Sequence, residues 1–343
     1  MYSTDNLFYS RRIGRSPQGS VLLEDDQYAD MPQRTTILGA VKLSGKTKNG
    51  LSFGLLESVT SQETAEISDG TSQRIEPLTN YLVARALLDL NDRKTFIGGM
   101  FTSVLRSQHQ ETGFLHQSAH TGGIDFLHQW QDRNWYVGAN LVMSHVGGSK
   151  EAILRTQQAI PHLFQRGASH VNIDSSRTTL TGSGGDIKIG KAGNGHIQAE
   201  VGITWRSPNL ELNDIGFMRE ADIIQQYAGV FYRSINSFGA FRNARIGYQH
   251  WLNWDFEGNL NYIDWDISTE ATFQNNWSTT LGFFSQPHTY SKSLLQGGPR
   301  LRLADQYGFW WALNSDSRKK FYVAYSGWTK TGPTGSYYLL ENN

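Results

Sequence analysis

Apolar and polar residues alternate along many segments of this chain, a period-2 pattern that predicts β-strands with two unlike faces. In segment 262–273 most odd-numbered positions are apolar, whereas the even-numbered positions include Asp264, Asp266 and Glu270. The same alternation predicts roughly fifteen strands in all. The other predicted strands are 36–43, 51–59, 81–90, 95–105, 121–130, 135–143, 178–190, 196–206, 226–235, 243–253, 278–286, 299–304, 308–314 and 320–328. Most connections are too short for crossover helices, so we expect nearly all strands to be antiparallel.

The connections between these strands alternate between short turns and long loops. The short turns are rich in Asn, Asp and Gly, and the long loops are 60–77, 106–120, 146–177 and 207–225. Short turns at one rim and long loops at the other are typical of transmembrane β-barrels. The sequence therefore predicts an all-β, antiparallel up-and-down transmembrane β-barrel of about 14–16 strands with long extracellular loops.

Two soluble folds also have alternating strands, the β-sandwich and the β-propeller. A propeller should repeat a motif about every 40–50 residues, and no such motif occurs in this chain. A sandwich would leave a highly charged outer face, whereas the polar positions here are mainly Ser, Thr, Gly, Asn and Gln. These residues suit a water-filled lumen, so the barrel is favoured over both soluble folds.

The composition excludes several classes of protein. The 343 residues carry 31 basic and 31 acidic side chains, and a net charge of zero gives no basis for nucleic-acid binding. The absence of cysteine removes disulfides, thiolate metal sites and cysteine nucleophiles. Aromatic residues make up 12% of the chain, which is not the composition of a disordered protein. No apolar run approaches the roughly 20 residues of a membrane-spanning helix.

Five blocks of sequence, in a fixed order along the chain, resemble one known family. They are Leu7–Gly14, Ile37–Thr47, Ser149–Gln157, Ser207–Phe217 and Asn314–Lys320. With these blocks the chain resembles a Gram-negative outer-membrane β-barrel family that is catalogued as a domain of unknown function. The resemblance implies outer-membrane localisation and, in the full-length protein, an upstream domain similar to carbohydrate-binding family nine. No catalytic residues are established for the family, so the resemblance assigns none to this chain.

The two ends of the chain allow two interpretations. Residues 1–6 lack the basic and apolar pattern of a signal peptide, which alone favours a cytoplasmic protein. The resemblance instead implies that a signal peptide and the carbohydrate-binding-like domain lie upstream and that further strands follow Tyr338. We therefore predict a leading segment at 1–35 and a β-barrel domain at 36–343, truncated at both ends. An incomplete barrel has two unpaired edges, so these residues alone should not form a closed, inserted barrel.

Charged residues on the polar faces of the predicted strands are candidates for the lining of a lumen. Asp264, Asp266 and Glu270 share one face, and paired carboxylates at such spacing can hydrolyse glycosides. A wet lumen also accommodates carboxylates that pair with arginines, and we favour this interpretation. The predicted lumen-facing binding residues are Arg85, Asp125, Glu200, Arg206, Asp264, Asp266 and Glu270. No catalytic residue, metal site or cofactor is predicted, because the sequence has no matching nucleophile, metal-ligand or phosphate-loop motif.

Two of the long loops have features that indicate a role. Segment 149–165 is the one helix-like stretch, and loop 207–225 combines charged with apolar residues. Long loops lose conformational entropy unless they pack against something or bind it. We predict that one or both of these loops fold over or into the lumen and gate it, with Glu211, Asp214 and Arg219 as the gate residues of loop 207–225. Ordered lids that bind no ligand are the alternative.

These observations predict an outer-membrane β-barrel module that binds or passes a solute, including glycan-derived solutes, and that has no catalysis of its own. Two alternatives stay open: a glycan-active hydrolase that uses lumen or loop carboxylates, and a soluble β-rich adhesion or assembly domain. The expected partners are outer-membrane lipid, a glycan or other small solute, and the upstream carbohydrate-binding-like domain. Nucleic acid is not among them.

Overall fold

Antiparallel β-strands make up most of the regular structure in the computed structural model, which describes residues 6–332 and 335–339. The strands are β1 (Ala29–Asp30), β2 (Ile37–Lys46), β3 (Leu51–Thr60), β4 (Glu63–Ile67), β5 (Ser72–Glu76), β6 (Thr79–Leu90), β7 (Thr95–Arg106), β8 (His116–Trp130), β9 (Trp135–Gly148), β10 (Thr179–Lys191), β11 (Ile197–Arg206), β12 (Ile223–Ser234), β13 (Phe241–Trp254), β14 (Leu260–Phe273), β15 (Ser278–Ser291), β16 (Leu301–Leu303), β17 (Gln306–Asn314), β18 (Ala324–Gly332) and β19 (Gly335–Leu339). The helices are α1 (Lys150–Gln158) and three 3-10 turns at Ser10–Arg12, Gln110–Thr112 and Phe164–Arg166. None of the helices in the described residues is long and apolar enough to cross a membrane.

Sixteen of the described strands form one sheet in which almost every strand pairs with its neighbour in sequence. The order is β19-β18-β17-β15-β14-β13-β12-β11-β10-β9-β8-β7-β6-β3-β2, and β16 pairs with β15 beside this path. The prediction of an all-β, antiparallel up-and-down fold is therefore confirmed. Within residues 6–332 and 335–339 the order ends on β2 at one side and on β19 at the other, and no pairing closes the sheet into a barrel.

The alternation of apolar and polar residues located the strands, and the differences lie at their ends. Each predicted segment overlaps one observed strand. The strand predicted to begin at residue 121 begins at His116, and the strand predicted to end at residue 143 continues to Gly148. The helix-like stretch at 149–165 contains α1, which Ser149 caps by accepting a hydrogen bond from Ala152 N at 3.0 Å.

A second, three-stranded sheet was not predicted. It consists of β1, β4 and β5, and the hairpin of β4 and β5 occupies the connection where the sequence indicated loop 60–77. The hairpin buries Ala65 and Ile75. Each of its strands has only five residues, too few for an alternating pattern to stand out from a polar loop.

The chain divides into two compact units. The first comprises Met1–Leu127, Ala139–Asp186 and Trp205–Asp222, and the second comprises His128–Gly138, Ile187–Thr204 and Ile223–Asn343. In the first unit the loops after β9 and β11 pack against strands through buried apolar side chains. This cluster contains Tyr81, Val83, Val104, Ala119, Val146, Ile153, Phe164, Val171, Leu180 and Ile215.

In the second unit one face of the strands is apolar and exposed. Val230, Tyr248, Ile267, Phe283 and Phe309 are opposite one another on the successive strands β12, β13, β14, β15 and β17. All except Phe283 are between 40% and 51% exposed. A contiguous exposed apolar patch on a folded protein marks a surface that contacts lipid or another apolar partner.

Candidate functional site

Two of the residues predicted to line the lumen, Arg85 on β6 and Asp125 on β8, form a bidentate ion pair. Arg85 Nη2 donates to Asp125 Oδ2 at 2.8 Å, and Nη1 donates to Oδ1. The pair crosses β7 at Gly98, where a Cβ would lie 2.5 Å from Asp125 Oδ2. The absence of a side chain at Gly98 leaves room for the two charges to meet across the strand between them.

Two predicted carboxylates on β14 accept hydrogen bonds from neighbouring side chains. Asp264 Oδ2 accepts from Tyr262 Oη at 2.6 Å and from Gln286 Nε2 at 3.2 Å. Asp266 Oδ1 accepts from Gln249 Nε2 at 3.4 Å. These donors fix both carboxylates on the polar face of the strand, and their role in solute binding stays a prediction.

The other predicted lining residues occupy three further places on the strands. Glu270 lies 3.6 Å from Arg245 of β13, an arginine pairing of the expected kind. Glu200 accepts a hydrogen bond from Tyr136 Oη. Arg206, the last residue of β11, is half-buried.

Asp214, one of the three predicted gate residues, is buried in a network of charges. It belongs to residues 207–222, called here the anchored loop. Asp214 Oδ1 accepts from Arg106 Nη1 at 2.7 Å, and Asp214 Oδ2 lies 2.8 Å from His116 Nδ1. These contacts attach the loop to the end of β7 and the start of β8. Arg219, in contrast, is exposed.

Two more carboxylates of the anchored loop pair with the segment that follows α1. Glu211 Oε2 lies 2.9 Å from His162 Nε2. Asp222 contacts Arg166 and lies 2.8 Å from His170 Nε2. The Glu211, His162, Asp222 and Arg166 side chains are at most 7% exposed. The loops after β9 and β11 are therefore joined by buried ion pairs.

The anchored loop lies on the face of β9 and β10 that carries Ser144 and Gly182, where small residues make room for it. A Cβ on Gly182 would lie 2.1 Å from Leu210 N. Ser144 Oγ accepts a hydrogen bond from Glu211 N at 2.9 Å. The absence of a side chain at position 182 is thus a condition for the loop to reach the sheet.

The leading segment also contacts the anchored loop. Asn6 and Phe217 exchange two backbone hydrogen bonds of 3.0 and 2.8 Å, and Arg12 Nε donates to Gly216 O at 3.1 Å. Arg12 and Gly216 are 204 residues apart in the sequence, and no local pattern predicted their contact. The leading segment and the anchored loop, which are distant in the sequence, are therefore hydrogen-bonded to each other within the first unit.

The charges around the anchored loop shift the pKa values of its carboxyl groups. Burial raises the pKa of Asp214, but the charges and hydrogen bonds of His116 and Arg106 outweigh burial and hold it far below its usual range. For Glu211, burial also raises the pKa, and the hydrogen bond and charge of His162 bring it below its ordinary value. Both carboxylates are therefore ionised at neutral pH and stabilise the folded protein.

Acidification should destabilise the folded protein by protonating Asp214, and Asp214→Asn should abolish this part of the pH dependence. Because the folded pKa of Asp214 is depressed, its contribution is complete above the unfolded pKa of about 3.9 and is lost as the pH falls below that value. Each pH unit below it removes up to about 1.4 kcal/mol. Thermal unfolding of the full-length protein in detergent at pH 7 and pH 3 should show a larger drop for the parent than for Asp214→Asn. Equal drops would contradict the assignment.

His116 contacts one side chain through each of its ring nitrogens. Its Nδ1 faces the Asp214 carboxylate, which only accepts. Its Nε2 lies 2.7 Å from Thr156 Oγ1, and the same hydroxyl lies 3.0 Å from Ala152 O. Thr156, His116 and Asp214 have the order of a hydrolase triad, but Thr156 is only 7% exposed, so its hydroxyl is not open to a substrate in this structure.

Comparison with known protein families identifies the family of this chain. Residues 1–334 match the family described as "Domain of unknown function (DUF5916)". The chain belongs to this family. The match covers nearly the whole DUF5916 chain and confirms the resemblance that the five sequence blocks indicated.

Comparisons of this DUF5916 chain with individual proteins add no functional information. No curated protein matches it. Among solved structures, BamA from Haemophilus ducreyi lacking POTRA domains 1-3 aligns with 90% of this chain and 70% of its own, at 8% identity and a TM-score of 0.39. A triple mutant of the Rhodopseudomonas blastica porin aligns with 87% of this chain and 85% of its own, at 11% identity and a TM-score of 0.31. At these TM-scores neither likeness carries weight for function.

Proposed function

We propose that this DUF5916 chain is the membrane-spanning part of an outer-membrane β-barrel protein of a Gram-negative bacterium, and that it binds or passes a small polar solute. The observation that carries the proposal is the unlike character of the two faces of its strands. On β14, Ile267 belongs to the exposed apolar row, whereas its neighbours Asp266 and Ser268 are on the polar face. In a membrane the apolar face contacts acyl chains and the polar face lines water.

Closure of the barrel is part of the same proposal. In lipid an unpaired strand edge leaves backbone groups without hydrogen bonds, which is costly. Within the described residues β2 pairs only with β3, and its positions from Ile37 to Ser44 are all exposed. The edge of β2 and the edge of β19 therefore pair in the membrane, either with each other or with further strands of a longer protein.

The anchored loop is the gate in this proposal. It lies against β9 and β10 at Ser144 and Gly182, and its carboxylates at Glu211, Asp214 and Asp222 are all engaged with partners on other segments. A loop held this firmly obstructs the polar side of the strands until its ion pairs break. Asn6 to Arg12 of the leading segment contact it and are placed to transmit movement from an upstream domain.

The proposed partners follow from the same reasoning. Outer-membrane lipid contacts the apolar row, and the solute contacts the polar face. Glycan fragments belong to the solute class if the full-length protein carries the carbohydrate-binding-like domain that the family resemblance implies. The proposal includes no catalytic step.

Cysteines at two neighbouring positions on β14 should report the two faces. The chain has no cysteine, so Ile267→Cys and Ser268→Cys each add a single thiol to it. In outer membranes that contain the full-length protein, we expect a membrane-impermeant maleimide to label Ser268→Cys about tenfold faster than Ile267→Cys, because position 267 is covered by lipid. After denaturation both should label equally. Equal labelling in the membrane, or recovery of the protein in the soluble fraction, would refute the membrane proposal.

A further inference from the structure

The first unit contains a cavity of about 720 Å³ between the loop after β7 and the first turn of α1. Arg106, His109, His116 and Lys150 line it, and Glu151 is the one acidic residue among its described lining residues. Its volume is in the range of pockets that hold small molecules. The titratable side chains of the lining are therefore mainly basic, as in sites that bind anions.

The cavity borders a buried group of charged and titratable side chains. Asp214 is a single carboxylate that contacts both the guanidinium of Arg106 and the imidazole of His116. The three side chains are 2%, 10% and 11% exposed for Arg106, Asp214 and His116. Glu211, another carboxylate of the loop, already pairs with His162. A buried guanidinium and a buried imidazole therefore share one carboxylate, in a place with little water.

Arg106 also has donors that the protein does not use. Its Nη1 donates to Asp214 Oδ1 and to His116 O. Its Nε and Nη2, together with Oγ of the adjacent Ser107, are buried and have no hydrogen-bond partner among the described residues. Arg106 and Ser107 both line the cavity. Unpaired buried donors are destabilising, and the oxygens of an anion would satisfy them.

We propose that this cavity binds the anionic group, a phosphate or a carboxylate, of a small soluble ligand. Arg106 supplies the buried positive charge. Lys150 and His109, which are more exposed, bind the same group from the side nearer to water. This inference rests on the proposed function, because it takes the ligand to be the solute that the protein binds or passes. It restricts the class of that solute to anions.

The test is a calorimetric titration of the full-length protein in detergent with glucose 6-phosphate and, in parallel, with glucose. Glucose 6-phosphate should bind, glucose should not, and the affinity should fall as salt is added. Lys150→Gln removes one charged donor and should weaken binding by about tenfold. Lys42→Gln is the matched control, because Lys42 is exposed on β2 and does not line the cavity.

His109→Gln provides a second lining variant on a different segment, and the proposal requires it to weaken binding as well. Equal binding of the two sugars, no binding of glucose 6-phosphate at millimolar concentration, or parent-like binding by Lys150→Gln and His109→Gln would overturn the anion site. Because this titration needs no membrane, it is independent of the cysteine labelling on β14. Anion binding in a protein that fails the labelling test would reject the membrane proposal and leave the anion site in place.

Discussion

Replacing Asp214 with Asn should release the anchored loop from the strands. The substitution keeps the size of the side chain but leaves the buried Arg106 guanidinium and the His116 imidazole without their carboxylate. Removing one partner of a buried ion pair costs about 3–5 kcal/mol, which is a large part of the stability of a typical domain. We expect faster hydrogen exchange in residues 207–222 and a higher flux of small solutes through the full-length protein in liposomes.

Asp174→Asn is the matched control for this experiment. Asp174 also lies in a long loop and pairs with an arginine, Arg177, but the two side chains are 43% and 41% exposed. Exposed pairs of this kind contribute about 0–1 kcal/mol, so exchange and flux should stay at the parent values. If Asp214→Asn behaves like Asp174→Asn, the buried charges do not hold the loop and the gate proposal loses its physical basis.

The strands were predictable from the sequence because each has one apolar and one polar face, and their ends were less so. The strand predicted to end at Gln286 continues to Ser291, past Pro287. Pairing of this strand with β17 ends at Gln286 and pairing with β16 begins at Thr289. Pro287 therefore lies between two ladders, at a place where its missing N–H breaks neither of them.

The candidate site was predictable only in part. Glu211 and Asp214 were identified because they are charged residues among apolar ones in a long loop. The partners of Asp214, Arg106 and His116, lie 108 and 98 residues away in the sequence. Periodicity describes neighbours along one strand or helix and cannot reveal pairs that only the packed chain brings together. For the same reason the sequence could not show that position 182 needs a glycine, because the loop that covers this position lies more than 20 residues further along the chain.

Replacing Gly182 with Ala should displace the anchored loop without removing any of its charges. The added Cβ would lie 2.1 Å from Leu210 N and 2.4 Å from Asn209 C. These are backbone atoms, so no side-chain rotation can relieve the overlap. Overpacking costs about 1–3 kcal/mol even where the surrounding side chains can adjust. We expect hydrogen exchange in residues 207–222 and solute flux to rise together, while the amount of protein in the outer membrane stays constant.

Gly122→Ala on β8 is the control, because a Cβ at Gly122 would meet nothing within 4 Å. It adds the same methyl group to the same kind of strand, so changes in intrinsic β-propensity are matched between the two variants. An effect in Gly182→Ala alone would locate its cause at the contact with the loop. If exchange in residues 207–222 rises in Gly182→Ala while flux stays at the parent value, the loop can move without opening a path. The anchored loop would then not be the gate, whatever holds it in place.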